Sequence, residues 1–284
     1  MAEERPVFFD CAGDQLLGIL HQPSVAAGDI GVLLLVGGPQ YRVGSHRQFV
    51  LLARDLAAAG IPVFRFDYRG MGDSDGVARD FEQVADDIRA ALDCYAANSA
   101  GLQRVVLWGL CDAASANAFY AATDERVVGQ IALNPWVRTL EGEAQAFIKH
   151  YYLQRVLSRA FWRKVLTMQF DATAALGDFI RKLAHTRRGD GFTRPARDER
   201  ALPVRLRDAQ IGFSGATLVI LSGQDLTARE YELRVAESAA WQRWMGSGRV
   251  TVQRLEEADH TFSRALWRDQ VAAWSRDWIE RLPK

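Results

Sequence analysis

The string Leu107-Trp108-Gly109-Leu110-Cys111-Asp112-Ala113-Ala114 constrains the fold more than any other, because an apolar run of strand character meets one nucleophilic side chain and then small helix formers. A chain that passes from strand to helix this abruptly folds back on itself. The corner residue is then held in a strained backbone conformation, with small neighbours on both sides. Gly109 and Ala113 stand at the flanks and Cys111 at the corner. The serine form of this elbow has glycine at both flanks, so Ala113 is a departure that still lets strand and helix pack closely. Cysteine is often no more than a small buried hydrophobe. Reading Cys111 as the attacking atom therefore depends on partners elsewhere in the chain.

The surrounding pattern fits such a corner. Segments 15–21, 30–36, 63–68, 104–110, 129–133, 216–221 and 249–255 are rich in Val, Ile, Leu and Phe and have strand length. Helix-period segments, 48–59, 81–97, 113–122, 228–245 and 266–282, lie between most of them. Alternation of this kind implies an α/β fold, with a mostly parallel central sheet of about eight strands covered by helices on both faces. A short polar turn, Cys11 to Asp14, suggests an antiparallel hairpin at one edge. The alternation breaks once, over 135–215, which reads as a helical cap inserted into a core formed by 1–134 and 216–284. Stretches 144–157 and 161–170 look helical there, and 187–207, rich in Arg, Gly, Asp and Pro, looks flexible. Phe147, Tyr151, Tyr152, Phe161, Trp162 and Phe170 suit either an acyl pocket or simple packing of the cap, since aromatics dominate burial in any case.

Charge excludes several classes of partner. With 35 acidic and 35 basic side chains, nothing favours nucleic acid or an anionic membrane surface. No stretch is long and apolar enough to cross a bilayer, and the charged N-terminus is unlike a signal peptide. Cys11, Cys94 and Cys111 form neither a metal-ligand spacing nor a paired framework, which points to a reducing compartment, the cytoplasm, and to no metal and no cofactor.

A cysteine nucleophile needs a base to generate thiolate and an acid to hold that base in one tautomer. Asp225 follows the apolar run 217–223, and His260 lies between the last strand and the last helix. Asp259, beside the histidine, and Glu230, within the following helix, are rival acids. The other histidines, His21, His46, His150 and His185, each read as surface or hydrogen-bonded structural residues, although His46 or His150 could touch substrate. The oxyanion of a tetrahedral intermediate needs backbone N–H groups. Asp112 supplies one, as the residue after the nucleophile. The second falls to the loop Gly37-Gly38-Pro39-Gln40, where Pro39 has no N–H, leaving Gln40 first and Gly38 behind it. A tight turn would also account for the two glycines. The string Asp67-Tyr68-Arg69-Gly70-Met71-Gly72-Asp73-Ser74 contains Gly-x-Gly after a strand, but its third glycine is misplaced for a dinucleotide loop.

Taken together, Gly37-Gly38, Asp67-x-Arg69-Gly70-x-Gly72-x-Ser74, Gly109-x-Cys111-x-Ala113, Asp225 and His260 resemble an α/β-hydrolase over nearly the whole chain, in the chain order nucleophile, acid, base. More narrowly, Gly44-Ser45-His46-Arg47-Gln48-Phe49, His150-Tyr151-Tyr152 and Phe161-Trp162-Arg163-Lys164 resemble the hydrolase 1 family associated with the exosortase A system. Members of that family are encoded beside exopolysaccharide and protein-sorting machinery. The short gap between Gly223 and Asp225 departs from the pattern at the acid. The resemblance implies a hydrolase acting through a Cys111–His260–Asp225 triad and an acyl-cysteine but implies no substrate; the chemistry of a thiolate nucleophile favours a small-molecule ester or thioester, free or carrier-bound. An acyltransferase would use the same residues, and a non-catalytic binding protein could keep the same fold.

Overall fold

A computed structural model describes residues 3–24, 28–38, 40–138 and 200–283. The expected helices 144–157 and 161–170, the cap aromatics, His150, His185, Pro39 and most of the stretch 187–207 lie outside them.

Among the described residues, eight strands form one sheet in the order β1-β2-β4-β3-β5-β6-β7-β8. They are β1 (Glu3–Cys11), β2 (Asp14–Gln22), β3 (Ile30–Leu35), β4 (Val63–Phe66), β5 (Arg104–Leu110), β6 (Val127–Leu133), β7 (Ala216–Ser222) and β8 (Val250–Leu255). Strands β1 and β2 make the edge hairpin, in register from Glu3 opposite Gln22 to Cys11 opposite Asp14. Ala12 and Gly13 connect them at φ 55° and 89°. Two successive left-handed residues give a turn whose twist matches that of the strands. β2 pairs antiparallel with β4, and every later pairing is parallel. The inner strands β3, β5, β6 and β7 are buried almost throughout, as strands covered on both faces must be.

Helices cover both faces. On one, Phe49, Leu52 and Leu56 of α1 (Gln48–Ala58) and Trp267, Val271 and Ile279 of the last helix, α7 (Ala265–Glu280), pack on Val32, Leu34, Val106 and Trp108. On the other, Ile88, Leu92 and Tyr95 of α2 (Ala85–Asn98) and Ala113, Ala116 and Tyr120 of α3 (Asp112–Ala121) pack on Leu33, Leu35 and Leu107. A third cluster joins Val219 and Leu221 of β7 to α4 (Leu202–Gly212), α5 (Leu226–Ala236) and α6 (Ala239–Met245) through Leu206, Tyr231, Trp241 and Trp244.

Two boundaries differ from the sequence reading. The segment 228–245, expected as one helix, is broken between α5 and α6, because Ser238 takes an extended backbone and accepts a hydrogen bond from Trp241 N–H as the cap of a new helix. The larger compact unit of the chain takes in Met1–Arg138 and Leu202–Lys284, whereas the insertion was expected to run over 135–215. Helix α4 belongs to this unit because it carries part of the third cluster. Its buried Gln210 accepts hydrogen bonds from Tyr231 at 3.0 Å and from the Trp241 indole at 2.8 Å.

Candidate active site

Parallel strands β5, β6, β7 and β8 all end at one edge of the sheet, and the residues singled out in the sequence collect in the loops beyond that edge. Cys111, between β5 and α3, has φ 65° and ψ −123°. This region is sparsely populated by side-chain-bearing residues and costs about 1–3 kcal/mol. Four backbone hydrogen bonds impose it: Cys111 N–H donates to Leu133 O at 2.8 Å, and Cys111 O accepts from Ala114, Trp136 and Ser115 N–H at 3.1, 3.2 and 3.4 Å. The small flanks are needed sterically. A Cβ on Gly109 would lie 2.7 Å from the backbone carbon of Ala113.

Asp225 caps α5: its Oδ1 accepts from Thr227 N–H at 3.2 Å and its Oδ2 from Ala228 N–H at 3.1 Å. The same Oδ2 lies 2.9 Å from Nδ1 of His260. Burial pushes the Asp225 carboxyl up, but the bond to His260 and the two helix N–H groups outweigh it and leave the group below its ordinary value. For His260, burial by itself would lower the pKa. The hydrogen bond to Asp225, followed by the influence of the nearby Cys111 thiol, reverses this and raises it to about 10. Carboxylate and imidazole are therefore bonded to each other, and the thiol lies close enough to act on the imidazole electrostatically, with Asp225 buried and His260 and Cys111 half-buried.

The rival acids are engaged elsewhere. Asp259 folds back on its own turn, where it accepts from Ser263 N–H at 3.0 Å and from the Ser263 hydroxyl. Glu230 pairs with Arg138 at 3.0 Å. His21 is fully buried and bonded to Arg65 at 2.8 Å, while His46 is exposed on the loop before α1.

The oxyanion loop departs from expectation. Gln40 N–H, expected as the better second donor, bonds Gly38 O at 2.8 Å within its own loop. Its side chain is tied to Ser45 N–H at 3.0 Å. Gly38 N–H is the group that faces the elbow, and both Asp112 carboxylate oxygens lie 2.8 Å from it. Asp112 N–H is the first of α3, where no helical acceptor precedes it.

The Gly-x-Gly loop after β4 is filled by the protein itself. Asp67 accepts from Arg42 N–H at 2.6 Å and Asp73 N–H at 3.1 Å and pairs with the Arg42 guanidinium. A Cβ on Gly72 would lie 2.2 Å from the Asp67 carboxylate, and Arg69 is locked bidentately to Asp87 at 3.0 and 2.8 Å. This is a structural brace rather than a phosphate cradle.

Sequence reasoning missed Asn134. Following β6 at φ 43°, it donates to Ser222 Oγ at 2.9 Å and to His260 O at 3.0 Å, and accepts from Ser222 N–H at 2.9 Å. Ser222 Oγ in turn donates to Asp259 O at 2.9 Å. One amide thus fastens the histidine loop to the end of β7. An Asn directly after an apolar strand was the available signal, since Asn tolerates the left-handed region better than most residues.

A doubly covered, largely parallel sheet with a strained elbow after β5, an acid after β7 and a histidine after β8 defines the α/β-hydrolase class of proteins. The chain belongs to the alpha/beta hydrolase family, whose model matches residues 32–274. No curated protein matches it. Among solved structures it is similar to the esterase Pf2001 of Pyrococcus furiosus, at TM-score 0.68 and 14% identity over 99% of this chain and 93% of that one. It is also similar to Est1E of Butyrivibrio proteoclasticus with ferulic acid bound, at TM-score 0.63 and 16% identity over 97% and 98% of the two chains. A third is alpha/beta hydrolase domain-containing protein 10 from mouse, at TM-score 0.58 and 14% identity over 98% and 99%. Among the described residues no helix is long and apolar enough to cross a membrane, and no group of His, Cys, Asp and Glu has the arrangement of a metal site.

Proposed function

We propose that the protein hydrolyses a small-molecule ester or acyl thioester through an acyl-cysteine on Cys111, with His260 as proton carrier and Asp225 as its orienting acid. The observation that carries this reading is the Asp225–His260 hydrogen bond beside a sulfur held at the strained elbow, whose influence is felt at His260. A cysteine nucleophile needs a basic or cationic partner, and His260 is the residue in the site with that chemistry. The thiolate attacks the carbonyl carbon, and the carbonyl oxygen becomes an oxyanion for which Asp112 N–H and Gly38 N–H are the candidate donors. When the tetrahedral intermediate collapses, the bond to the leaving oxygen or sulfur breaks and His260 gives that atom its proton. A water molecule then attacks the acyl-cysteine. His260 accepts the water's proton, the carbon–sulfur bond breaks, and a carboxylic acid leaves with Cys111 restored.

Esters and thioesters suit a sulfur nucleophile better than amides, because thiolate is expelled more readily than an unprotonated amine. The similarity to the Pyrococcus furiosus esterase agrees with an ester substrate. Within this proposal we read the chain as one of the exosortase A-associated hydrolases, which adds a neighbourhood of exopolysaccharide machinery and no particular acyl group. Three free thiols suit a reducing compartment such as the cytoplasm.

The test is intact-protein and peptide mass spectrometry after brief exposure to p-nitrophenyl acetate and to acetyl and longer-chain acyl thioesters. An acyl adduct on Cys111 that disappears in water, and accumulates in His260→Ala only slowly, is the expected result. Transfer to an added alcohol or sugar in preference to water would make the protein an acyltransferase. Absence of both adduct and turnover would leave a binding protein.

A further inference from the structure

Asp112 stands at the elbow with its backbone and its side chain in opposite roles. The backbone N–H, first of α3, is the donor expected for the oxyanion. The carboxylate, however, already lies where an anion would go, bonded to Gly38 N–H at 2.8 Å and to Ala113 N–H at 3.0 Å, at the N-terminus of α3. The packing is close: a Cβ on Gly37 would lie 2.1 Å from Asp112 Oδ1. A substrate carbonyl cannot claim Gly38 N–H while this carboxylate holds it, and two anions that close repel each other strongly in a half-buried site.

Next to it is a cleft of about 300 Å³, lined by Asp112 itself together with Gly38, Tyr68, Met71, Arg79 and Phe81. The Tyr68 hydroxyl is buried, at 7% residue exposure, and has no hydrogen-bond partner among the described residues. A buried, unpaired hydroxyl is uncommon and calls for an acceptor. Burial holds the phenol well above its ordinary pKa, and the Asp112 and Asp87 carboxylates add to this, so it is a donor at all working pH values. Burial also raises the Asp112 carboxyl, against the bonds from Gly38 and Ala113 and with help from Asp80, so its charge is held at some cost in its present place.

We propose that the Asp112 carboxylate is a built-in occupant of the oxyanion hole, and that it swings into the adjoining cleft, to the Tyr68 hydroxyl and Arg79, when a substrate carbonyl enters. The inference rests on the acyl-cysteine reading above. It makes Asp112 and Tyr68 determinants of which electrophiles react: a flat carbonyl compound has to displace the carboxylate, whereas an alkylating agent that forms no oxyanion does not. Asp80, on the same rim, opposes the outward position and limits how long the hole stays open.

The experiment compares wild type, Asp112→Ala, Asp112→Asn and Tyr68→Phe in two reactions, acylation by p-nitrophenyl acetate and alkylation of Cys111 by iodoacetamide. Asp112→Ala empties the hole but keeps the backbone N–H, and should speed acylation at least about tenfold while leaving alkylation nearly unchanged. Asp112→Asn keeps an oxygen able to accept from Gly38 N–H and should give a smaller gain. Tyr68→Phe removes only the receiving hydroxyl, so acylation slows while alkylation and melting temperature stay the same. Should Asp112→Ala fail to fold, as judged by circular dichroism, Tyr68→Phe decides. Acylation unchanged or slower in Asp112→Ala, with Cys111 still rapidly alkylated, overturns the displacement proposal alone. Failure of wild-type Cys111 to react selectively in either assay overturns the acyl-cysteine reading and this inference with it.

Discussion

Cys11, Cys94 and Cys111 are three thiols in three environments, and their reactivity is the most direct readout of the site. Burial raises the pKa of Cys11 and pushes Cys94 up to about 11, whereas Cys111 is half-buried at the elbow near His260. Since thiolate is the reacting species, iodoacetamide should alkylate Cys111 at least about tenfold faster than the other two at pH 7.5, with His260→Ala erasing most of the difference. Peptide mapping by mass spectrometry measures this. His260 provides a second readout. Its pKa is raised from 6.5 to about 10 in the folded chain, so the interaction stabilises the fold fully below about pH 6.5 and is lost as pH rises through about 10. Asp225→Asn removes the largest upward contribution, and the imidazole titration followed by NMR should move down by more than about one unit. A His260 that titrates at its ordinary pKa in wild type would contradict the bond to Asp225.

At the scale of elements, the site depends on loops that follow β5, β6, β7 and β8 and have no covalent reason to stay together. Asn134 joins two of them through Ser222 and His260 O. Asn134→Ala leaves Ser222 N–H and His260 O without these partners, and each buried polar group so stranded costs about 1–3 kcal/mol. Urea denaturation should show a loss of that size. Ester turnover should fall as well, because the histidine loop is freed while Cys111 and Asp225 keep their own tethers. The split helix α5 and α6 shows why such elements are hard to place from sequence. Residues 228–245 keep a helical period throughout, and a single serine cap at Ser238 decides where one helix stops and the next begins.

At the scale of the molecule, the described residues hold three apolar clusters, two on the faces of the sheet and one around β7, while the chemistry sits in loops at its carboxyl edge. The third cluster depends on Trp241, which is 1% exposed, stacks edge-on to Tyr231 at 5.3 Å and bonds Gln210. Trp241→Ala should cost about 3–5 kcal/mol in urea denaturation through the cavity it leaves. It should spare the selective alkylation of Cys111, whose backbone is held from β6 and from within α3. Loss of that selectivity in Trp241→Ala would show that the elbow and the third cluster are one cooperative unit.

The sequence determined the parallel sheet, because strands buried on both faces must read as unbroken apolar runs such as 217–221. It also determined the elbow, because only small flanks let α3 fold back on β5. Cys111, Asp225 and His260 were legible for the same reason: they fall one, three and five residues beyond the ends of β5, β7 and β8. What the tertiary structure decided was which polar groups meet once the loops converge. The Asp112 carboxylate reaching Gly38 N–H 74 positions away, Asn134 reaching His260 across 126, and Gln40 turning its N–H back on Gly38 are contacts of that kind. Hydrogen bonds are short and directional, so their partners follow from the arrangement of the loops in space, on which local periodicity is silent.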